Sequence, residues 1–269
     1  MNIVANEHVM NPYDSMLFNI PFPQNPITGT EFAKQIWDVN GQFREDRICQ
    51  ALLDGHVPAW LRTPVELDLN EHVQILVLPD VLCIGTSDDY LYIPAWPATY
   101  QKVANAWNAC LITQKLSDLI WSKATHLAPN PLPPSVRMSS TEYYVMHSRV
   151  QQKQYGDVSG IGKGDFVAGH KKDVVVTPSL LTHPKNVAIY GWHQSNGIPI
   201  QGGSKHVVQV DAHSNTYVDY SHGCRLLCNT VYIDNEPIDI SQVYQRQDLH
   251  SLFASEPFTP DKVWWRYPL

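Results

Sequence analysis

The sequence predicts an α+β protein, with a helical and small-meander N-terminal half packed on a mainly antiparallel β C-terminal half. Three observations lead there. Apolar residues recur at helical spacing in several early segments, short β-branched runs separated by turn residues dominate after residue 135, and a proline-rich break at 129–134 divides the two patterns. The chain has 269 residues, of which 43% are hydrophobic and 17% charged. That length sustains a large core without disulfides or metals, and that composition excludes a disordered chain or a coiled coil.

Residues 11–29 carry Pro12, Pro21, Pro23 and Pro26 and read as an extended arm on the body. Helices are expected over 31–38 and 44–53, the second with Ile48, Leu52 and Leu53 on one face and Gly55 as its stop. Runs at 65–69, 73–78, 81–85 and 90–93 predict a small antiparallel meander. Pro97 sits where a helix starts, followed by Val103, Ala106, Trp107, Cys110 and Leu111 at helical spacing. A further helix from Thr113 places Leu116, Leu119, Ile120 and Ala124 on one side. Beyond the break, strands are expected at 174–177, 187–190, 207–210, 217–220, 225–227 and 230–233, and a last helix over 241–252 capped by Ser241. Residues 1–134 and 135–269 thus form two halves of one compact unit.

The net charge of -7 argues against nucleic acid as a partner. The most apolar run, 73–85, is interrupted by Pro79 and Asp80 and is too short to span a membrane. Residues 1–10 hold Glu7 and His8 and no apolar stretch, so no signal peptide is expected. Five cysteines, an odd number, favour a reducing compartment, and the cytoplasm is the expected location. Cys49, Cys83 and Cys110 lie in apolar segments and read as buried hydrophobes.

Histidine carries the functional signal. Seven of the 12 histidines fall between residues 147 and 222. Four polar segments interrupt the β-like runs there: Gly169-His170-Lys171-Lys172-Asp173, Gly191-Trp192-His193, Asp211-Ala212-His213 and Tyr217-Val218-Asp219-Tyr220-Ser221-His222-Gly223-Cys224-Arg225. Loops at one sheet edge project together, so these segments are placed to converge. In the last of them a thiol stands beside an imidazole and a guanidinium, both of which favour the nucleophilic thiolate, and backbone N–H groups around Gly223 suit an oxyanion.

The hexapeptide Ser221-His222-Gly223-Cys224-Arg225-Leu226 resembles the Ser-His-Gly-Cys-aliphatic-Arg signature of L,D-transpeptidase catalytic domains, which carry an upstream aliphatic-His-Gly. The resemblance implies a β-rich fold that remodels peptidoglycan stem peptides. Cys224 would be the acylated nucleophile, Arg225 the stabilising cation, and His193 or His222 the base. Here one residue fewer separates the cysteine from the arginine, and Gln194 stands where the upstream pattern has glycine. The segments Gly169–Val175, Ile189–His193 and Tyr217–Leu226 are also similar to an uncharacterised, mostly bacterial group in which the position of Cys224 is usually aliphatic. That similarity leaves His170, Asp173, His193, Asp219, Ser221, His222 and Arg225 as the site.

The leading expectation is a hydrolase or acyl-transfer enzyme acting on a peptide-like or amide substrate, without a cofactor. His193 and His222 would do acid–base work, Asp173 or Asp219 would orient them, Arg225 would hold an anionic group, and Cys224 is the candidate nucleophile. One alternative is a zinc-dependent hydrolase with His170, His193, His213 and His222 plus Asp173 or Asp219 as ligands. Another is a serine hydrolase built on Ser221, and a third is a non-catalytic protein binding a small ligand or partner. Convergence of His170, His193 and His222 separates the enzyme readings from the binding one.

Overall fold

A computed structural model of the chain describes residues 18–157, 160–210, 212–259 and 262–269. The α+β class is as the sequence predicts. Part of the expected arm (11–17) and Asp211 lie outside the described residues. The rest of the arm is tied down: Asn19 N–H donates to Trp107 O, and Arg62 donates to Ile20 O.

Helix α1 (Gly29–Gln35) opens with a capping box between Thr28 and Glu31, and α2 (Gly41–Leu53) buries Ile48, Ala51 and Leu52. Gly55 ends α2 in the left-handed region at φ 79°, and Pro21 O lies 1.8 Å from where a Cβ would stand, so only glycine fits. The expected meander resolves into two hairpins, β1 (Val65–Asp68) with β2 (Val73–Val77), and β3 (Cys83–Gly85) with β4 (Tyr90–Tyr92). Helix α3 (Pro97–Ala106) begins at Pro97, but Cys110 and Leu111 leave it for strand β5 (Ala109–Leu111). Asn108, in the left-handed region at φ 55°, makes that break. Helix α4 (Gln114–Lys123) is capped by Thr113, whose side chain accepts from Leu116 N–H.

After the proline-rich break the sequence reading missed the longest helix, α5 (Thr141–Asp157). Its buried face is Tyr144, His147, Ser148 and Gln151, which is helical in spacing but polar in character, so hydropathy gives no signal. Short β6 (Thr125–His126) and β7 (Val167–Ala168) pair in parallel. The expected strands at 207–210 and 217–220 are irregular backbone, and Ile189 makes only an isolated bridge to Gln209. The last helix is two, α6 (Ile240–Tyr244) and α7 (Gln247–Phe253), with Asp239 rather than Ser241 as cap.

Two sheets organise the molecule. The four-stranded sheet runs β10 (Pro199–Gln201), β9 (Ile189–His193), β8 (Lys172–Val174), β11 (His222–Gly223), antiparallel except for the β8–β11 pair. The six-stranded sheet sets β12 (Leu226–Cys228), β13 (Thr230–Ile233) and β14 (Glu236–Asp239) against β1, β2 and β5. Strands from both sides of residue 134 share this second sheet, and one apolar core runs from Ile20 to Tyr267. No helix among the described residues is long and apolar enough to cross a membrane.

Candidate functional site

The four-stranded sheet has two faces, and its register assigns side chains to them. Asp173 on β8 pairs with Tyr190 on β9, so the two share a face, while Lys172 pairs with His222 on the other. Strict alternation would then put Trp192 with Tyr190 and send His193 to the opposite side. The opposite is found. Gly191 and Trp192 both have positive φ, 89° and 59°, which reverses the alternation within β9. Trp192 therefore meets Lys172, whose Nζ lies 4.9 Å from the ring centre, and His193 joins Tyr190 beside Asp118. A bulky residue in the left-handed region is strained, and Trp192 is held there by its indole N–H, which donates to Pro129 O and His170 O, each at 3.2 Å.

His193 now faces a polar pocket. Its Nε2 is 3.1 Å from Asp118 Oδ1. An ionised carboxylate only accepts, so Nε2 carries the hydrogen of this bond, and Nδ1 holds the free lone pair of the neutral ring. Burial would raise the Asp118 carboxyl, but bonds from His193 and Tyr190 outweigh it and keep the pKa below the ordinary range. Tyr190 Oη donates to Asp118 at 2.7 Å and lies 2.7 Å from His206 Nδ1. Its single proton is committed to Asp118, so His206 is the donor to Tyr190. Asp118 and His206 are 30% and 41% exposed.

Asp173 lies deeper, where the Ser117 hydroxyl donates to Oδ2. Burial pushes its carboxyl above the ordinary range, against the opposing pull of Arg225 and Ser117. A Cβ built on Gly191 would stand 3.3 Å from Ser117 Oγ, 3.4 Å from Asp173 Oδ2 and 3.4 Å from His193 Cε1. The three side chains thus surround one point that only glycine leaves open. The adjoining cavity, lined by Ser117, His170, Lys171, Asp173, His193 and Arg225 among others, has a volume of about 10 Å³. That matches one water molecule.

The far wall is a second buried network. Asp80 accepts from its own neighbour's Val81 N–H at 2.6 Å, from Tyr92 Oη at 2.7 Å and from Tyr155 Oη at 3.1 Å. His170 Nε2 is 3.2 Å from Asp80 Oδ1, at ion-pair distance but outside hydrogen-bond geometry, and Arg225 Nη2 is 3.9 Å away. Arg225 is otherwise spent on the backbone, donating to Leu78 O and Val167 O. Lys171 donates to Tyr220 O at 2.6 Å and lies 3.0 Å from His147 Nδ1. Burial brings its ammonium down to about 7.

Four predicted residues, His170, Asp173, His193 and Arg225, therefore line one cavity. Asp219, Ser221 and His222 are elsewhere, with Lys172 on the opposite face. Ser221 N–H and Oγ both bond Asp219 Oδ1, Lys172 Nζ is 3.8 Å from Oδ2, and both ring nitrogens of His222 are buried without a hydrogen bond. Burial would raise Asp219, but His222, Lys172 and the Ser221 bonds outweigh it and hold the pKa at about 2. Burial lowers His222 to about 4. His170 and His193 line the same cavity while His222 lies on the opposite face, so the three histidines do not converge as expected, and among the described residues no three His, Cys, Asp or Glu side chains are grouped to hold a metal. Cys224 is fully buried, its Sγ 3.9 Å from Arg225 O, and burial raises its thiol well above the usual range. Arg225 favours the thiolate, but burial outweighs it.

Sequence reasoning missed Ser117, Asp118 and Asp80, whereas Lys171 stands in one of the polar segments the sequence marks out. Asp80 alone left a signal, since a carboxylate inside the apolar run 73–85 must be paired if it is buried. Ser117 and Asp118 looked like the polar side of an amphipathic helix. No protein-family model matches the chain, and neither a curated protein nor a solved structure matches it.

Gly191→Ala should destabilise the fold by about 1–2 kcal/mol through its left-handed φ and crowd Ser117, Asp173 and His193. Urea unfolding and the His193 ring resonances check this; unchanged stability and unchanged resonances would overturn the geometry. Native protein should leave Cys224 unmodified by iodoacetamide, while the half-buried Cys49 reacts first and Cys224 reacts on unfolding. Peptide mapping after timed labelling reads both. Burial, joined at His147 by the Lys171 charge, also lowers His147 to about 2 from an ordinary 6.5. Below pH 6.5 the unfolded chain takes up protons that native His147 and His222 refuse, so stability is present above that pH and is lost as pH falls toward 4. Each histidine contributes about 1.4 kcal/mol per pH unit in that window. Urea midpoints at falling pH should show the loss, and a flat profile would refute it.

Proposed function

We propose that the protein is a hydrolase of peptide-like or amide substrates in which Asp173 and His193 share the acid–base work on one water. The observation that carries this reading is their placement. A carboxyl raised by burial and an imidazole gripped by an ionised aspartate face a single water-sized cavity.

In this mechanism the water oxygen attacks the substrate carbonyl carbon while His193 Nδ1 takes one of its protons. Asp118 holds the ring orientation and stabilises the imidazolium that forms. In this scheme the protonated form of Asp173, which burial favours over the carboxylate, donates to the nitrogen of the breaking C–N bond. The proton on His193 then returns to Asp173, and both groups are restored. An amine acceptor in place of water would give acyl transfer by the same steps. Ser117 orients Asp173, and the substrate reaches the water from the side of Asp118 and His206. Cys224 has no step in this scheme. All five cysteines are unpaired, which suits action in the cytoplasm.

The test is a panel of aminoacyl, peptidyl and acyl anilides and coumarin amides, assayed with the wild type, Asp173→Asn, His193→Gln and Cys224→Ala. The expected result is turnover by the wild type and by Cys224→Ala, with losses of about 100-fold or more in the other two. Absence of turnover by the wild type across the panel, or wild-type rates in Asp173→Asn or His193→Gln, would overturn the proposal.

A further inference from the structure

Away from this site, helices α1 and α5 lie on either side of β4 and leave a cleft of about 220 Å³ between them. Both segments line it with residues at helical spacing. Ala33, Lys34 and Trp37 come from α1 and the residues just after it; Val145, Ser148 and Arg149 come from α5. Gly29 allows the close approach, since a Cβ there would fall 2.5 Å from Tyr90 C. The walls are apolar at the bottom and end in Trp37, which is 49% exposed.

The rim is positively biased. Arg44, Arg62, Arg137, Arg225 and Arg246 each hold a carbonyl or a carboxylate. Arg149 makes no ion pair or hydrogen bond of that kind among the described residues, and Lys34 has only the electrostatic influence of Glu31 on its own helix. The Glu31 carboxylate is committed to Thr28 N–H. The one carboxylate in the cleft, Asp89, accepts from Thr30 N–H at 3.1 and 3.3 Å. Ser148 Oγ accepts from Tyr92 N–H at 2.9 Å, which leaves its hydroxyl proton to donate outward. In a chain of net charge -7, two unpaired cations facing one cleft with a half-exposed indole need an account.

We propose that this cleft binds a small organic anion, with a single carboxylate head between Lys34 and Arg149 and an apolar or aromatic body against Trp37, Ala33 and Val145. Arg149 supplies a planar fork that matches a carboxylate, and Lys34 supplies a point charge. Aromatic stacking on Trp37 and burial of the ligand's apolar part provide the remainder. The volume is below that of drug-sized pockets, so the ligand is of metabolite size. The site is separate from the hydrolytic one and does not depend on it.

The probe is 3-phenylpropanoate, paired with neutral 3-phenylpropanamide, titrated into the full chain at low salt and followed by calorimetry and by the Trp37 indole N–H resonance. Trp37→Phe assigns that resonance. The expected result is saturable binding of the acid in the millimolar range or tighter, with the amide about tenfold weaker, as loss of one charge-assisted contact would give. Arg149→Gln and Lys34→Gln, both exposed positions, should each weaken the acid about fivefold or more without changing thermal stability. No saturable binding of the acid, equal binding of acid and amide, or wild-type affinity in Arg149→Gln would overturn the proposal.

Discussion

The carboxylates around the sheet, buried Asp80 and Asp219 and half-buried Asp173, set the constraint from which the site follows. An isolated charge in an apolar interior is prohibitive, so each must be paired, hydrogen-bonded or neutralised. The protein uses a different solution for each. Asp80 collects two tyrosine hydroxyls, a backbone N–H, and the nearby His170 and Arg225, and the His170 and Arg225 charges help keep it below the ordinary range despite its burial. Asp219 is held by Ser221 and faces Lys172. Asp173 receives one hydroxyl bond from Ser117, and burial prevails. That difference sets Asp173, raised by burial, apart from Asp80 and Asp219, whose carboxyls lie below the ordinary range.

The second constraint is geometric. β-strand alternation would have put His193 on the face away from Asp173 and Tyr190. Two consecutive residues of positive φ reverse it, and one of them is tryptophan, whose strain is offset by two hydrogen bonds and by the Lys172 ammonium over its ring. Local strain held in place by surrounding contacts is common where a side chain must be aimed. Gly191 serves a double purpose, since it supplies the first left-handed residue and keeps open the point that Ser117, Asp173 and His193 share.

These features explain what was legible beforehand. Helices with apolar faces, such as the one ended by Gly55 or the one begun by Pro97, are written in spacing and in cap residues. Helix α5 is not, because its buried face carries His147, Ser148 and Gln151, which contribute hydrogen bonds instead of hydrophobicity. His170, Asp173, His193 and Arg225 stood out by local density of polar groups among β-like runs, and they do meet. Their partners Ser117 and Asp118 come from α4, more than fifty residues earlier in the chain, and only tertiary packing brings them to β8 and β9. Asp118 sits on a helix whose opposite side is apolar, so its polarity looked like ordinary solvation.

The hexapeptide 221–226 shows why sequence adjacency misled about chemistry. His222 and Gly223 belong to β11 of the four-stranded sheet, whereas Leu226 opens β12 of the six-stranded one. Cys224 and Arg225 are the link between the two sheets. A chain crossing between sheets must satisfy its backbone on both sides, and here Cys224 O accepts from Leu82 N–H, and Leu226 O accepts from Leu78 N–H. Arg225 reinforces the crossing by holding Leu78 O and Val167 O, which fastens the six-stranded sheet to the β6–β7 pair. Burying a guanidinium in that role requires a counter-charge, and Asp80 supplies it, which in turn brings His170 against the cavity wall. Six successive residues that look like one catalytic motif are thus divided among a polar cluster, a core thiol and a structural clamp. The clamp also adds a positive field beside Asp173, opposing the burial that raises that carboxyl.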